Sequence, residues 1–283
     1  MVDVIRSAAF TEDPTGGNPA GIVLDASELD DTQMQRIATE VGYAETAFVM
    51  DLDEVSLTIR YFSPFAEVPF CGHATIATSV ALVKRNLAQL GGLTFRTAVG
   101  PILIQTQRSG GVVRASFTSV EPSIQPMPSD ALAQLLELIH VEEHDLDSQM
   151  PPALVFAGNT HPLLALRDRE TFDAFTFDPA RARALLDLHG WPATITVIHG
   201  SAHGGITARN IFPVGGITED PATGSAAAAI GAYLRERGLV SAPASIVIHQ
   251  GQHVGRPSVL AVEIPATGGI TVSGTAVEII ANP

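Results

Sequence analysis

Two stretches of the chain repeat each other. Glu67 to Leu87 and Glu219 to Leu239 align at a constant offset of 152 residues and are identical at eight of 21 positions. The identities are Glu67/Glu219, Pro69/Pro221, Gly72/Gly224, Ala74/Ala226, Ala77/Ala229, Leu82/Leu234, Arg85/Arg237 and Leu87/Leu239. Upstream, Arg60-Tyr61-Phe62-Ser63-Pro64 answers Arg209-Asn210-Ile211-Phe212-Pro213, and Gly17-Asn18 answers Gly158-Asn159, in the same order. Such self-similarity restricts the fold to two structurally equivalent halves. Each half reads as a curved, mostly antiparallel, barrel-like sheet around one Ala-rich helix, because small side chains let strands approach a helix closely. The reading is therefore an α+β fold of two pseudo-symmetric lobes.

The repeat also locates the boundary. Between Val120 and Pro152 the composition shifts to five prolines, at 122, 126, 128, 151 and 152. The first lobe is assigned to 1–121 and the second to 122–270, with a last strand, about 271–283, returning to the first. In the first lobe, strands are predicted at Val2–Phe10, Ile22–Leu24, Glu45–Met50 and Val55–Phe62. A helix is predicted from Glu28 to Val41 with Ser27 as N-cap, and the Ala-rich helix over Ala74–Leu90. Thr94–Thr118 reads as β with a turn at Ser109-Gly110-Gly111. The second lobe carries helices at Ser129–Ile139, Pro179–Gly190 and Ser225–Gly238, and strands around Ala153–Leu166, Ile195–Ile198 and Ile206–Phe212.

Charge and cysteine content remove several function classes. A net charge of −14 argues against nucleic-acid partners and against docking on an anionic membrane, since both need local positive charge. A single cysteine excludes an internal disulfide framework and a multi-cysteine zinc cluster. Ala226–Leu234, the most apolar run, is too short to span a bilayer, and Met1–Phe10 has no signal-peptide pattern. A cytoplasmic protein is expected.

The chemistry-bearing residues gather at the two helix starts, Cys71-Gly72-His73-Ala74 and Thr223-Gly224-Ser225-Ala226. First-turn N–H groups and the positive end of the helix dipole favour anions. Two such starts facing one cleft would grip a small anionic substrate and stabilise a developing enolate. Arg60 and Arg209 would add to this grip if turned inward. Glu45 lies in the apolar run Tyr43–Val49, where burial would raise its pKa toward the range of a general acid/base.

The motifs Ala9-Phe10-Thr11, Gly16–Leu24, Glu45–Val49, Arg60–Pro64, Cys71–Thr75 and Glu219–Ala226 resemble those of the phenazine-biosynthesis PhzF-like family over nearly the whole chain. The resemblance implies the diaminopimelate epimerase fold, an isomerase, a homodimer, no cofactor or metal, and acid–base chemistry at carbon. The best-known member of that family isomerises trans-2,3-dihydro-3-hydroxyanthranilate. The family's proton-transferring glutamate falls on Glu45, and its helpers on His73, Asp220, Gly224 and Ser225. Gly72, Thr223 and Asn18 complete the substrate-binding set. Cys71 stands where the family often has Asp.

Two alternatives stay open. Cys71 at a helix start suits thiolate chemistry of a racemase-fold dehydratase or epimerase on a cyclic amino acid, although its counterpart, Thr223, rules out a two-thiol mechanism. A non-catalytic binding protein on the same scaffold is the other. Asn159 reads equally as a turn residue. His161, His203, His249 and His253 lack metal-binding spacing and are left as core or surface histidines.

Overall fold

A computed structural model describes residues 2–202, 204–213 and 217–280; His203 lies outside them. In chain order the first part comprises β1 (Ile5–Ala9), β2 (Asn18–Val23), α1 (Asp31–Val41), β3 (Glu45–Leu52), β4 (Ser56–Phe62), β5 (Glu67–Val68), α2 (Gly72–Lys84), β6 (Gly91–Thr97), β7 (Gly100–Ser109) and β8 (Val112–Thr118). There follow β9 (Ser123–Pro126), α3 (Ser129–Ile139), β10 (Ala153–Phe156), β11 (Thr160–Ala165), α4 (Arg169–Ala174), α5 (Pro179–His189), β12 (Ile195–Ser201) and β13 (Gly205–Ile211). The chain ends with α6 (Gly224–Glu236), β14 (Ala244–Gln250), β15 (Ser258–Ile264), β16 (Thr271–Gly274) and β17 (Ala276–Glu278). Two compact units emerge, one of residues 1–118 and 273–283 and one of 119–272. They are called the first and second lobe.

Strand pairing follows the same order in both. In the first lobe β1 runs antiparallel to β2 and β17, β2 parallel to β3, β3 antiparallel to β4, β4 parallel to β6, and β6, β7 and β8 form an antiparallel meander. In the second, β10 runs antiparallel to β9 and β11, β11 parallel to β12, β12 antiparallel to β13, β13 parallel to β14, and β14 antiparallel to β15. A parallel pair needs a long crossover, usually a helix. The crossover after β4 is α2, and the one after β13 is α6.

These two helices fill the lobes. α2 packs on β1, β2, β3, β7, β8 and β17; α6 packs on β9, β10, β11 and β15. A helix surrounded by strands has no polar face, and residues 73–80 of α2 and 226–234 of α6 are all buried. Small residues set the spacing: a Cβ on Gly231 would lie 2.9 Å from Ile270 and 3.0 Å from Val262. Both helices stop by the same Schellman arrangement. Leu87 N–H donates to the Leu82 carbonyl beyond Asn86 at φ +59°, and Leu239 N–H donates to that of Leu234 beyond Gly238 at φ +67°. That turn ends α2 at Lys84, short of the predicted Leu90.

The first helix also starts later than predicted. Asp30, not Ser27, is its N-cap: Asp30 Oδ1 accepts from Gln33 N–H, and Gln33 Oε1 accepts from Asp30 N–H. That reciprocal capping box satisfies two backbone donors at once, whereas Ser27 turns its hydroxyl to Asp25. The apolar face of α1, Met34, Ile37 and Ala38, closes a small core with Phe48 and Phe62. In the second lobe α3, α4 and α5 cover a larger core around Leu135, Phe172, Leu186 and Trp191. No helix of the described residues is long and apolar enough to cross a membrane.

Candidate active site

Glu45 opens β3, three residues after the left-handed Gly42 that ends α1, and its side chain is 15% exposed. Cys71 is the N-cap residue of α2, and its side chain makes no capping hydrogen bond. Instead the thiol lies 3.6 Å from Glu45 Oε2 and 3.4 Å from His73 Nδ1. His73, the second residue of α2, brings Nε2 to 3.4 Å from the same carboxylate oxygen. Carboxylate, thiol and imidazole thus present donor atoms all within 4.8 Å of one another, the only group of this kind among the described residues that could hold a metal ion.

The protonation state of His73 follows from its surroundings. Burial lowers its pKa to about 3, so the ring is neutral and its approach to Glu45 is a dipole–charge contact rather than an ion pair. Asn18 Nδ2 donates to Nδ1 at 3.1 Å. The ring proton therefore sits on Nε2, the nitrogen that lies 3.4 Å from Glu45 Oε2. Asn18 selects the tautomer, and the tautomer gives the carboxylate a neutral donor beside it.

In the second lobe Thr223 is the N-cap residue of α6, again with no capping hydrogen bond from its side chain. Its hydroxyl donates to Asp220 Oδ2 at 2.5 Å. Gln250, on β14, ties the loop shut: Nε2 donates to the Asp220 carbonyl and to Thr223 Oγ1, and Oε1 accepts from Thr223 N–H. Ser225 donates toward His161 on β11, with Oγ 3.0 Å from Nε2. Gly72 and Gly224 are the first residues of their helices. In both lobes the cap side chain is turned elsewhere, so it does not occupy the first-turn N–H groups.

Arg60 and Arg209 do not take the part expected of them. Arg60 is held by Glu67 and Asp31, and the buried Arg209 by Glu219 and the carbonyls of Phe172 and Phe175. Both guanidinium groups are committed to internal acceptors and leave no cation for a substrate. Asn159 contributes its carbonyl to the turn after β10. His161, which the sequence marks only as a core or surface histidine, is buried, and Gln250 carries no sequence signal. Their partners lie 64 and 27 residues away, so no local motif marks them.

The model of the family described as phenazine biosynthesis-like protein matches residues 7–282. The chain belongs to this family. The uncharacterized isomerase YfhB of Bacillus subtilis is 29% identical over 97% of this chain and 96% of its own length. The trans-2,3-dihydro-3-hydroxyanthranilate isomerase of Pseudomonas chlororaphis is 32% identical over 89% and 86%. The crystal structure of the Bacillus anthracis phenazine biosynthesis protein of the PhzF family superposes with a TM-score of 0.87, at 28% identity, covering 99% of this chain and 97% of that one. The fold is that of the phenazine biosynthesis-like proteins, and the activity class is isomerase.

Proposed function

We propose that the chain is a cofactor-independent isomerase that moves a proton between carbons of a small carboxylate-bearing substrate, of the dihydroanthranilate type named for its Pseudomonas relative. The observation that carries this reading is the largely buried Glu45 carboxylate 3.4 Å from Nε2 of a histidine that burial keeps neutral and whose other nitrogen Asn18 engages. Glu45 takes a proton from carbon, and the electron pair delocalises toward the substrate's carboxylate or conjugated system. The carboxylic acid so formed returns the proton to another carbon, so atoms and charge balance. His73 donates from Nε2 to hold charge during the transfer. First-turn N–H groups at a helix start hold the anion. Thr223 and Asp220 shape the second helix start, and Asp220 assists proton movement. The same reading makes the protein a cytoplasmic homodimer.

Incubation of a dihydroanthranilate substrate in deuterated buffer tests it. Carbon-bound exchange should persist in Cys71→Ala and collapse in Glu45→Gln. A second reading rests on the thiol, which lies within 3.6 Å of both Glu45 and one nitrogen of His73: a one-thiol dehydratase or epimerase acting on a cyclic amino acid. Turnover lost in Cys71→Ala and kept in Glu45→Gln would select that reading instead.

A further inference from the structure

We propose that His161 is a positioning residue that turns Ser225 into an obligate hydrogen-bond acceptor, so that the second helix start selects acids carrying an amino or hydroxyl hydrogen close to their carboxylate. The inference rests on the reading that the ligand's carboxylate meets the start of α6.

The direction of the hydrogen bond follows from three contacts. His161 Nδ1 lies 3.1 Å from the Thr194 carbonyl and 3.0 Å from Thr194 Oγ1. A carbonyl only accepts, so Nδ1 carries the proton. The Thr194 hydroxyl spends its own hydrogen on Asn210 Oδ1, at 2.7 Å, and so also accepts from Nδ1. Nε2 is then a bare lone pair, and Ser225 Oγ, 3.0 Å away, must donate to it. His161 is fully buried, and burial lowers its pKa to about 4, so the ring stays neutral and the arrangement does not titrate near neutrality. The same low basicity makes it a poor general base, which argues against a serine nucleophile.

With its hydrogen committed inward, the half-buried Ser225 offers only lone pairs to a ligand, and among the described residues Oγ has no other partner. A carboxylate oxygen placed against it would meet a second acceptor. An N–H or O–H of the ligand would meet its complement. Backbone N–H groups take the carboxylate, and Ser225 takes the neighbouring donor.

Three probes of similar shape separate the possibilities: anthranilate, 2-methylbenzoate, which replaces the amino group by methyl, and benzoate. Titration calorimetry on the whole chain should show anthranilate favoured over 2-methylbenzoate by about tenfold, the scale of one hydrogen bond. The preference should vanish in Ser225→Ala and in His161→Leu. Nitrogen-15 NMR of the wild-type His161 ring should report the Nδ1–H tautomer at pH 7. Equal affinities in the wild type, a preference that survives Ser225→Ala, or an Nε2–H tautomer overturns the proposal. If no probe binds, the reading of the helix start as a carboxylate site falls instead, and the tautomer alone decides the direction of the hydrogen bond.

Discussion

The second residue of α2 is His73 and the second residue of α6 is Ser225, equivalent positions of the repeat. Each bonds to a side chain on or beside an equivalent strand, Asn18 on β2 and His161 on β11. The histidine has changed sides. In the first lobe it stands on the helix, accepts from the strand and brings Nε2 to 3.4 Å from Glu45. In the second it stands on the strand and draws the helix hydroxyl inward. On the proposed reading, one scaffold thus yields a proton-transfer site in one lobe and a polar binding site in the other. The duplicated ion pair shows the same divergence. Arg60–Glu67 is partly exposed, with side chains 27% and 40% accessible, while Arg209–Glu219 is 7% and 8% accessible and lies with its guanidinium carbon 3.5 Å from the Phe175 ring centre.

Glu45→Gln should have the largest effect. Proton exchange should slow by about 10²–10⁴-fold with ligand affinity nearly unchanged, the scale of one general acid–base group. Asp220→Asn, measured in the same assay, should lose less. The reverse order would move the chemistry to the second lobe. Next come the ion pairs. Glu219→Gln leaves a buried guanidinium without its carboxylate and should cost about 3–5 kcal/mol in urea unfolding. The equivalent Glu67→Gln should cost below about 1 kcal/mol. Equal costs would show that burial does not distinguish the two pairs.

The two histidines predict a smaller, pH-dependent effect. Their ordinary pKa is 6.5, and in the folded chain it falls to about 3 for His73 and about 4 for His161. Below pH 6.5 the unfolded chain binds protons that the native chain refuses. The stability these neutral rings provide is thus complete above 6.5 and is lost as pH falls toward 4 and 3. Denaturant midpoints measured against pH should fall through this window, and His73→Asn and His161→Asn should each flatten the slope. A variant that leaves the slope unchanged would identify a histidine already charged in the native state. The smallest effect is expected from Cys71→Ser: a loss of turnover well under the roughly 10²-fold floor of a general acid–base group. A larger loss would revive the thiol reading.

Much of this architecture can be read from residues. The repeat exposes itself because both central helices must be built of small residues, as the Gly231 contacts show. Asn86 and Gly238 hold the same C-terminal turn, yet only Gly238 reads as a stop, since asparagine is a weaker left-handed signal. Asp30 was hidden behind Ser27 because either is a good cap residue, and the choice depends on Gln33 three positions on. Helix α4 has only six residues, too few to display a period. At the site, Glu45 and the helix starts stand out through polarity in apolar surroundings. Asn18's effect on His73, and the pairing of His161 with Ser225, arise only when strands and helix meet, and no spacing along the chain encodes them.

The return of β17 to β1 bears on how the molecule is made. Ser7 and Val277, bonded side chain to backbone, are 270 residues apart, whereas the second lobe is drawn from one continuous stretch, 119–272. During synthesis the second lobe has its whole sequence in hand before the first one does. β1, made before the second lobe, must wait for β17, made after it, to close its sheet, and long-range closure of this kind is slow. Until then the outer edge of β1 is an open template for pairing with other chains, so a chain stalled or clipped near Ala276 would aggregate through its beginning rather than its end.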